Sequence, residues 1–296
     1  MNTELFRLEN NRISIDVNPI GAELYSIKTK PDGQEWLWQG DKRYFAQRSP
    51  ILFPVIGLLK DGVYTFNGEQ YDMPLHGFAH HMEFAVSDLR PDAVTFTIRD
   101  DAATQEVYPF AFQLDVTYRI HGASVDTHFA GSNESAHTMH FSIGGHPAFN
   151  VPFAAGDCYD DNVIEFAQKE RLERRLFENR LFTGERRLIL DNSRTLELSH
   201  DLFFTDKAVV LDDVKSDVLW IKSRKSPRSI RFEFPGFPYL GLWSTPGQHA
   251  PFLCIEPWYG IGADRNDKPA IELKEGIEAL SSGDTFRCAY RVFLNA

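Results

Sequence analysis

Apolar and polar residues alternate with a period of two along most of the chain. The longest run places Phe110, Phe112, Leu114, Val116, Tyr118 and Ile120 on one side. Shorter runs are Ile13-x-Ile15-x-Val17, Val94-x-Phe96-x-Ile98, Ile230-x-Phe232-x-Phe234 and Phe286-x-Cys288-x-Tyr290-x-Val292-x-Leu294. Successive side chains of a strand point to opposite faces, so each run predicts a strand with one face in a core. Asn67-Gly68 lies between Val63–Phe66 and Glu69–Tyr71. It predicts a tight hairpin, because a type I′ turn needs positive φ at both central residues. Arg90-Pro91-Asp92-Ala93 predicts a second turn. Helical periodicity is scarce, and Ala167–Phe177 (AQKERLERRLF) reads as a short helix or a charged loop. No linker, low-complexity tract or charge block divides the chain. The expectation is an all-β fold, a large antiparallel β-sandwich, built from residues 1–296 as a single domain.

Composition narrows the partners. The 296 residues are ample to bury a core, and the 24 Phe, 10 Tyr and 5 Trp suit half-buried pleated surfaces. A net charge of −11 argues against nucleic acid or an anionic membrane as the main partner. It leaves room for a small substrate. The cysteines, Cys158, Cys254 and Cys288, are odd in number and show no zinc-site spacing. A disulfide framework is not expected, and a reducing, cytoplasmic compartment is. Met1–Phe6 has neither the basic nor the apolar region of a signal peptide. The longest apolar stretch, Pro50–Leu59, is about half a membrane span and contains Pro50, Pro54 and Gly57.

Three segments break the strand pattern with ionisable groups in apolar surroundings. They are Leu75-His76-Gly77-Phe78-Ala79, Ser142-Ile143-Gly144-Gly145-His146-Pro147-Ala148-Phe149-Asn150, and Leu253-Cys254-Ile255-Glu256-Pro257-Trp258. In each, the ionisable residue is expected at or near a strand end, on the rim of a rigid sheet. Gly144-Gly145 also fits a bulge or tight turn. Glu256 interrupts an apolar run before a proline, where partial burial would raise its pKa toward that of a useful base. Together the segments supply one carboxylate and two imidazoles.

These segments resemble the aldose 1-epimerase, or galactose mutarotase, superfamily, in the branch whose sugar is often unclear. The resemblance extends over nearly the whole chain, through Gly21-Ala22-Glu23-Leu24, Glu35-Trp36-Leu37-Trp38, Pro50–Gly57, His76–Ala79, Tyr108-Pro109-Phe110, Gly144–Asn150 and Cys254–Trp258. It implies a β-supersandwich and an enzyme that interconverts the α and β anomers of a hexose. It also implies roles: Glu256 as catalytic base, His146 as general acid, and His76, Asp206 and Arg48 as groups that bind the sugar. Pro50–Gly57 departs from the Asn-Arg pattern of classical mutarotases, so galactose itself is not implied.

Such a reaction opens the ring at C1–O5, rotates C1–C2 and closes the ring on the other face. A carboxylate and an imidazolium on either side of C1–O5 meet its proton demands. No redox change occurs, so no cofactor and no metal is expected. Trp258, Phe149 and Trp243 are the candidates for an apolar floor. The expected partner is a small sugar, with the protein a monomer or homodimer. Three alternatives accompany this reading. One is a non-catalytic carbohydrate-binding protein on the same fold. Another is a mutarotase for a sugar phosphate, for which Arg43, Arg48 and Arg265 are the available cations. The third is a metal-dependent sandwich enzyme. His80-His81 and His137-x-x-His140 lack the His-x-His spacing that would place two imidazoles on one face of a strand.

Overall fold

A computed structural model describes residues 4–30, 32–153, 156–204 and 207–295. Its architecture is an antiparallel β-sandwich. The larger sheet has nine strands, in the spatial order Leu181–Glu197, Asn162–Glu178, Val218–Ser223, Ser229–Glu233, Thr285–Asn295, Ser124–Asn133, Phe112–His121, Ala93–Arg99 and Ala85–Leu89. The smaller sheet has six strands, in the order Val209–Leu211, Tyr239–Trp243, Phe252–Tyr259, Ile143–Gly145 and Ile51–Leu52, with Ala148–Asn150 also paired to Phe252–Tyr259. A three-stranded sheet, Phe6–Glu9, Ile13–Asn18 and Glu23–Thr29, packs on the same core.

The predicted alternation sets which faces meet. Phe112, Leu114, Val116, Tyr118 and Ile120 are buried with Tyr290, Val292 and Leu294 of Thr285–Asn295, two strands away in the same sheet. Leu253 and Ile255 of the smaller sheet enter the same cluster. Their neighbours Phe252, Cys254, Glu256 and Trp258 therefore point the opposite way, and that outer face carries the site. Asn67 (φ 51°) and Gly68 (φ 86°) form the expected hairpin turn. The turn at Arg90 closes with the Arg90 amide donating to Ala93 O at 2.8 Å.

Two local expectations are corrected. Ala167–Phe177 is neither helix nor loop but part of the strand Asn162–Glu178, paired to Leu181–Glu197 and, at its start, to Val218–Ser223. Its charged residues carry tertiary work that helical spacing did not reveal. Glu170 is buried and accepts from Ser216 N at 2.9 Å. Arg174, also buried, donates to Leu202 O and Ala208 O at 2.6 and 2.5 Å. Gly144-Gly145 is extended strand rather than a tight turn. A Cβ on Gly144 would lie 2.6 Å from Pro257 O, and one on Gly145 would lie 2.7 Å from Tyr290 Cε1. These glycines let neighbouring strands and the two sheets approach closely. Among the described residues no helix is long and apolar enough to cross a membrane.

Candidate active site

Three pieces of chain converge on the outer face of the smaller sheet. Glu256 sits in the middle of the strand Phe252–Tyr259, which runs on through Pro257, so it is not at a strand end as its position before proline implied. His146 lies between Ile143–Gly145 and Ala148–Asn150, and both of these strands pair with the Glu256 strand. The Ala148↔Cys254 register brings the imidazole over the carboxylate: His146 Nε2 is 3.1 Å from Glu256 Oε2. Both side chains are buried, at 9% and 3% exposure. Burial holds the Glu256 carboxyl well above the usual carboxylate range. It also pushes His146 down to about 4. Each shift disfavours a charge out of water. Burial thus favours a net-neutral pair with one proton, Glu256 donating to His146 Nε2.

His76 completes the group. Its ring meets that of His146 edge-on, with centroids 5.8 Å apart. Its backbone is left-handed, at φ 63°, a conformation rare outside glycine. Two bonds to one residue hold it there. The His76 amide donates to Gly57 O at 2.9 Å, and the Gly57 amide donates to His76 Nδ1 at 3.1 Å. With Nδ1 accepting, the ring proton is on Nε2, available to a ligand. Burial, followed by the nearby His146, His80 and Arg180, keeps this imidazole neutral by lowering its pKa.

The pocket above these groups has a volume of about 390 Å³, within the usual range for small-molecule sites. Phe45, Trp243 and Trp258 form its aromatic wall. Phe45 stacks on His146 at 5.3 Å, and Trp243 meets it edge-on at 5.7 Å. The Trp258 indole N–H is buried without a partner, while its ring is part of the pocket lining. Phe149 is not part of the floor. Alternation turns it inward, against Phe232 of the larger sheet.

Of the remaining expected ligands, Arg48 falls elsewhere. Arg48 does not line the pocket; its guanidinium lies over the Tyr25 ring, 3.9 Å from the centroid. Its main chain is nonetheless important. Buried Glu23, from Gly21-Ala22-Glu23-Leu24, accepts from Arg48 N and Ser49 N at 2.6 and 3.0 Å. That anchors the segment carrying Phe45, Gln47 and Pro50 to the pocket. Asp206 lies outside the described residues. Arg43 pairs with Asp41, and Arg265 with Glu178, and neither lines the pocket. The pocket instead receives Gln47, Arg180 and Lys207, which the sequence reading did not single out, and His80, which it named only within the metal alternative. Arg180 had a signal: Asn179-Arg180 is the two-residue turn, φ 52° and 69°, between Glu178 and Leu181.

The histidine pairs of the metal alternative do not assemble a site. His140 packs against Phe66 and Phe110, and the adjacent His80 and His81 rings lie 3.9 Å apart. Among the described residues, His146, Cys254 and Glu256 bring one ligand atom each within 4.8 Å of one another, a donor set of the right types for a cation such as zinc.

Fold and site together place the protein among the galactose mutarotase-like β-sandwiches. The chain belongs to the aldose 1-epimerase family, whose sequence model matches residues 4–278. It is 34% identical over 294 residues to the chromosomal protein LacX of Lactococcus lactis subsp. lactis, covering 96% of this chain and 97% of that one. Among solved structures, it is similar to a galactose mutarotase-like protein from Lactobacillus casei. The TM-score is 0.92 at 32% identity, with 99% of this chain and 100% of that one covered. A galactose mutarotase related enzyme from Lactobacillus acidophilus gives 0.95 at 28%, covering 99% and 98%.

Proposed function

We propose that the protein is an aldose 1-epimerase that interconverts the α and β anomers of a hexose by acid–base ring opening and reclosure. The observation that carries this reading is the buried His146–Glu256 pair, 3.1 Å apart, under a pocket walled by aromatic rings. The pair holds one proton. Placed on His146, that proton makes an imidazolium acid beside a carboxylate base. Glu256 removes the C1 hydroxyl proton as C1=O forms and the C1–O5 bond breaks, and His146 delivers its proton to O5. Rotation about C1–C2 then presents the other face of the carbonyl. Reclosure returns each proton along the same path, so the site ends as it began and both anomers are substrates. Each positioned transfer is worth ~10²–10⁴-fold. His76 Nε2–H is a donor to other hydroxyls, and the apolar wall accepts the C–H face of the ring. Asp206 is proposed as a further hydroxyl ligand on the family resemblance alone. The three unpaired cysteines are compatible with a reducing cytoplasm as the working compartment.

The test is anomer exchange. Freshly dissolved α-D-glucose and α-D-galactose are followed by polarimetry or exchange NMR, with wild type and with Glu256→Gln. Acceleration by the wild type that disappears in the variant is the expected result. Saturable sugar binding with no acceleration by the wild type would instead support a carbohydrate-binding protein on this fold.

A further inference from the structure

The long hairpin of the larger sheet does not stop at its own sheet. Its tip crosses to the pocket of the smaller one. Phe177, Arg180 and Phe182 all line that pocket, and the Phe182 amide donates to Ala263 O at 2.9 Å while Arg265 N donates to Phe182 O at 2.9 Å. The other rim carries Lys207, in the turn before Val209–Leu211. The two rims are tied together below the surface. Arg174, in the hairpin, bonds the carbonyl of Ala208, the residue after Lys207. Arg175 and Arg186, on the two hairpin strands, both grip Asp212, with closest bonds of 2.6 Å to each. The tip carrying Arg180 and the turn carrying Lys207 are therefore held as one unit.

Arg180 and Lys207 differ from most other cations of this protein. Arg7, Arg43, Arg99, Arg171, Arg224 and Arg228, for example, each have a carboxylate partner. Arg180 and Lys207 have none among the described residues, although the chain has 42 acidic side chains against 31 Lys and Arg. Two unpaired positive charges lining one pocket repel each other. A bound anion would relieve that repulsion and would be drawn to the mouth against the net negative charge. Glu256, the carboxylate lining the pocket, lies buried on its floor.

We infer that Arg180 and Lys207 form an anion subsite at the pocket mouth, and that the substrate is an aldose bearing a phosphate or a carboxylate remote from C1. The reading rests on the acid–base site proposed above, with the anomeric carbon over His146 and Glu256 and the anionic group at the rim.

The test compares D-glucose, D-glucose 6-phosphate and D-glucuronate, by exchange NMR on the wild-type protein and by calorimetric binding to Glu256→Gln. The expected result is binding of an anionic sugar at least about tenfold tighter than D-glucose at low salt, weakening as salt screens the contact. In Arg180→Ala/Lys207→Ala the preference falls to about twofold or less, while Arg180→Lys retains part of it. Preference for the 6-phosphate identifies phosphate as the anion, and preference for glucuronate identifies a carboxylate. Equal binding of all three sugars, or a preference that survives in the double variant, overturns the subsite. Tight anionic binding with no exchange by the wild type leaves the subsite standing and removes the epimerase reading. Exchange of D-glucose without anionic preference does the reverse.

Discussion

At the residue scale, the chemistry depends on one proton shared by two buried groups. Glu256→Gln keeps the side-chain volume and removes the base. It is expected to lower the exchange rate by ~10²–10⁴-fold while sugar binding by calorimetry persists. His146→Asn is expected to do the same less severely, because solvent can still protonate the departing O5. The pH profile follows from the two shifts. His146 is depressed to about 4, so the pair takes up a second proton only in acid. Glu256 is raised, so the pair gives up its single proton only well above the usual carboxylate range. The expected kcat/KM is flat around pH 6 to 7 and falls as the pH drops toward about 4. An acid limb centred near 6.5, the ordinary histidine value, would speak against a neutral buried pair.

Elements place these residues through close approach and through buried polar anchors. Gly145→Ala would set a methyl group 2.7 Å from Tyr290, between the sheets. It is expected to cost about 1–3 kcal/mol in urea denaturation, as overpacking of a filled core does. Glu23→Ala would leave Arg48 N and Ser49 N without their acceptor, a loss of about 1–3 kcal/mol. Because that segment carries Phe45 and Gln47, sugar affinity should fall with it, and Glu23→Gln, which keeps one acceptor oxygen, should recover much of the loss. The hairpin Asn162–Glu197 shows what local pattern missed. Its charges sit at helix-like spacing, yet pairing along both edges and the anchors at Glu170 and Arg174 decide for strand. Local propensity is a weak prior against contacts of that number and length.

For the whole molecule, both sheets contribute to one continuous core. Leu253 and Ile255 of the smaller sheet share it with Leu114, Val116 and Val292 of the larger. The chain is therefore expected to unfold in a single transition, with tryptophan fluorescence and far-ultraviolet circular dichroism coincident. Two separated transitions would mean that the sheets are independent units. A sugar at 100 times its Kd should add about 2.7 kcal/mol to that stability, read as a rise in Tm.

The sequence by itself determined the alternating strands, though not the hairpin Asn162–Glu197, together with the tight turn at Asn67-Gly68 and the face each alternating run turns to the core, because these depend on side-chain period and turn conformation over a few residues. It also marked His76, His146 and Glu256, since an ionisable group within an apolar run beside glycine or proline is visible locally. Only the tertiary structure decided which of these meet. The His146–Glu256 distance is a product of cross-strand register between segments far apart in the chain. The same holds for Arg180 and Lys207, which line one pocket because a hairpin from one sheet reaches the other. It holds for Arg48, whose charge is carried to Tyr25 rather than to the pocket. Period and turn chemistry act between neighbours in sequence, whereas a site is assembled from neighbours in space.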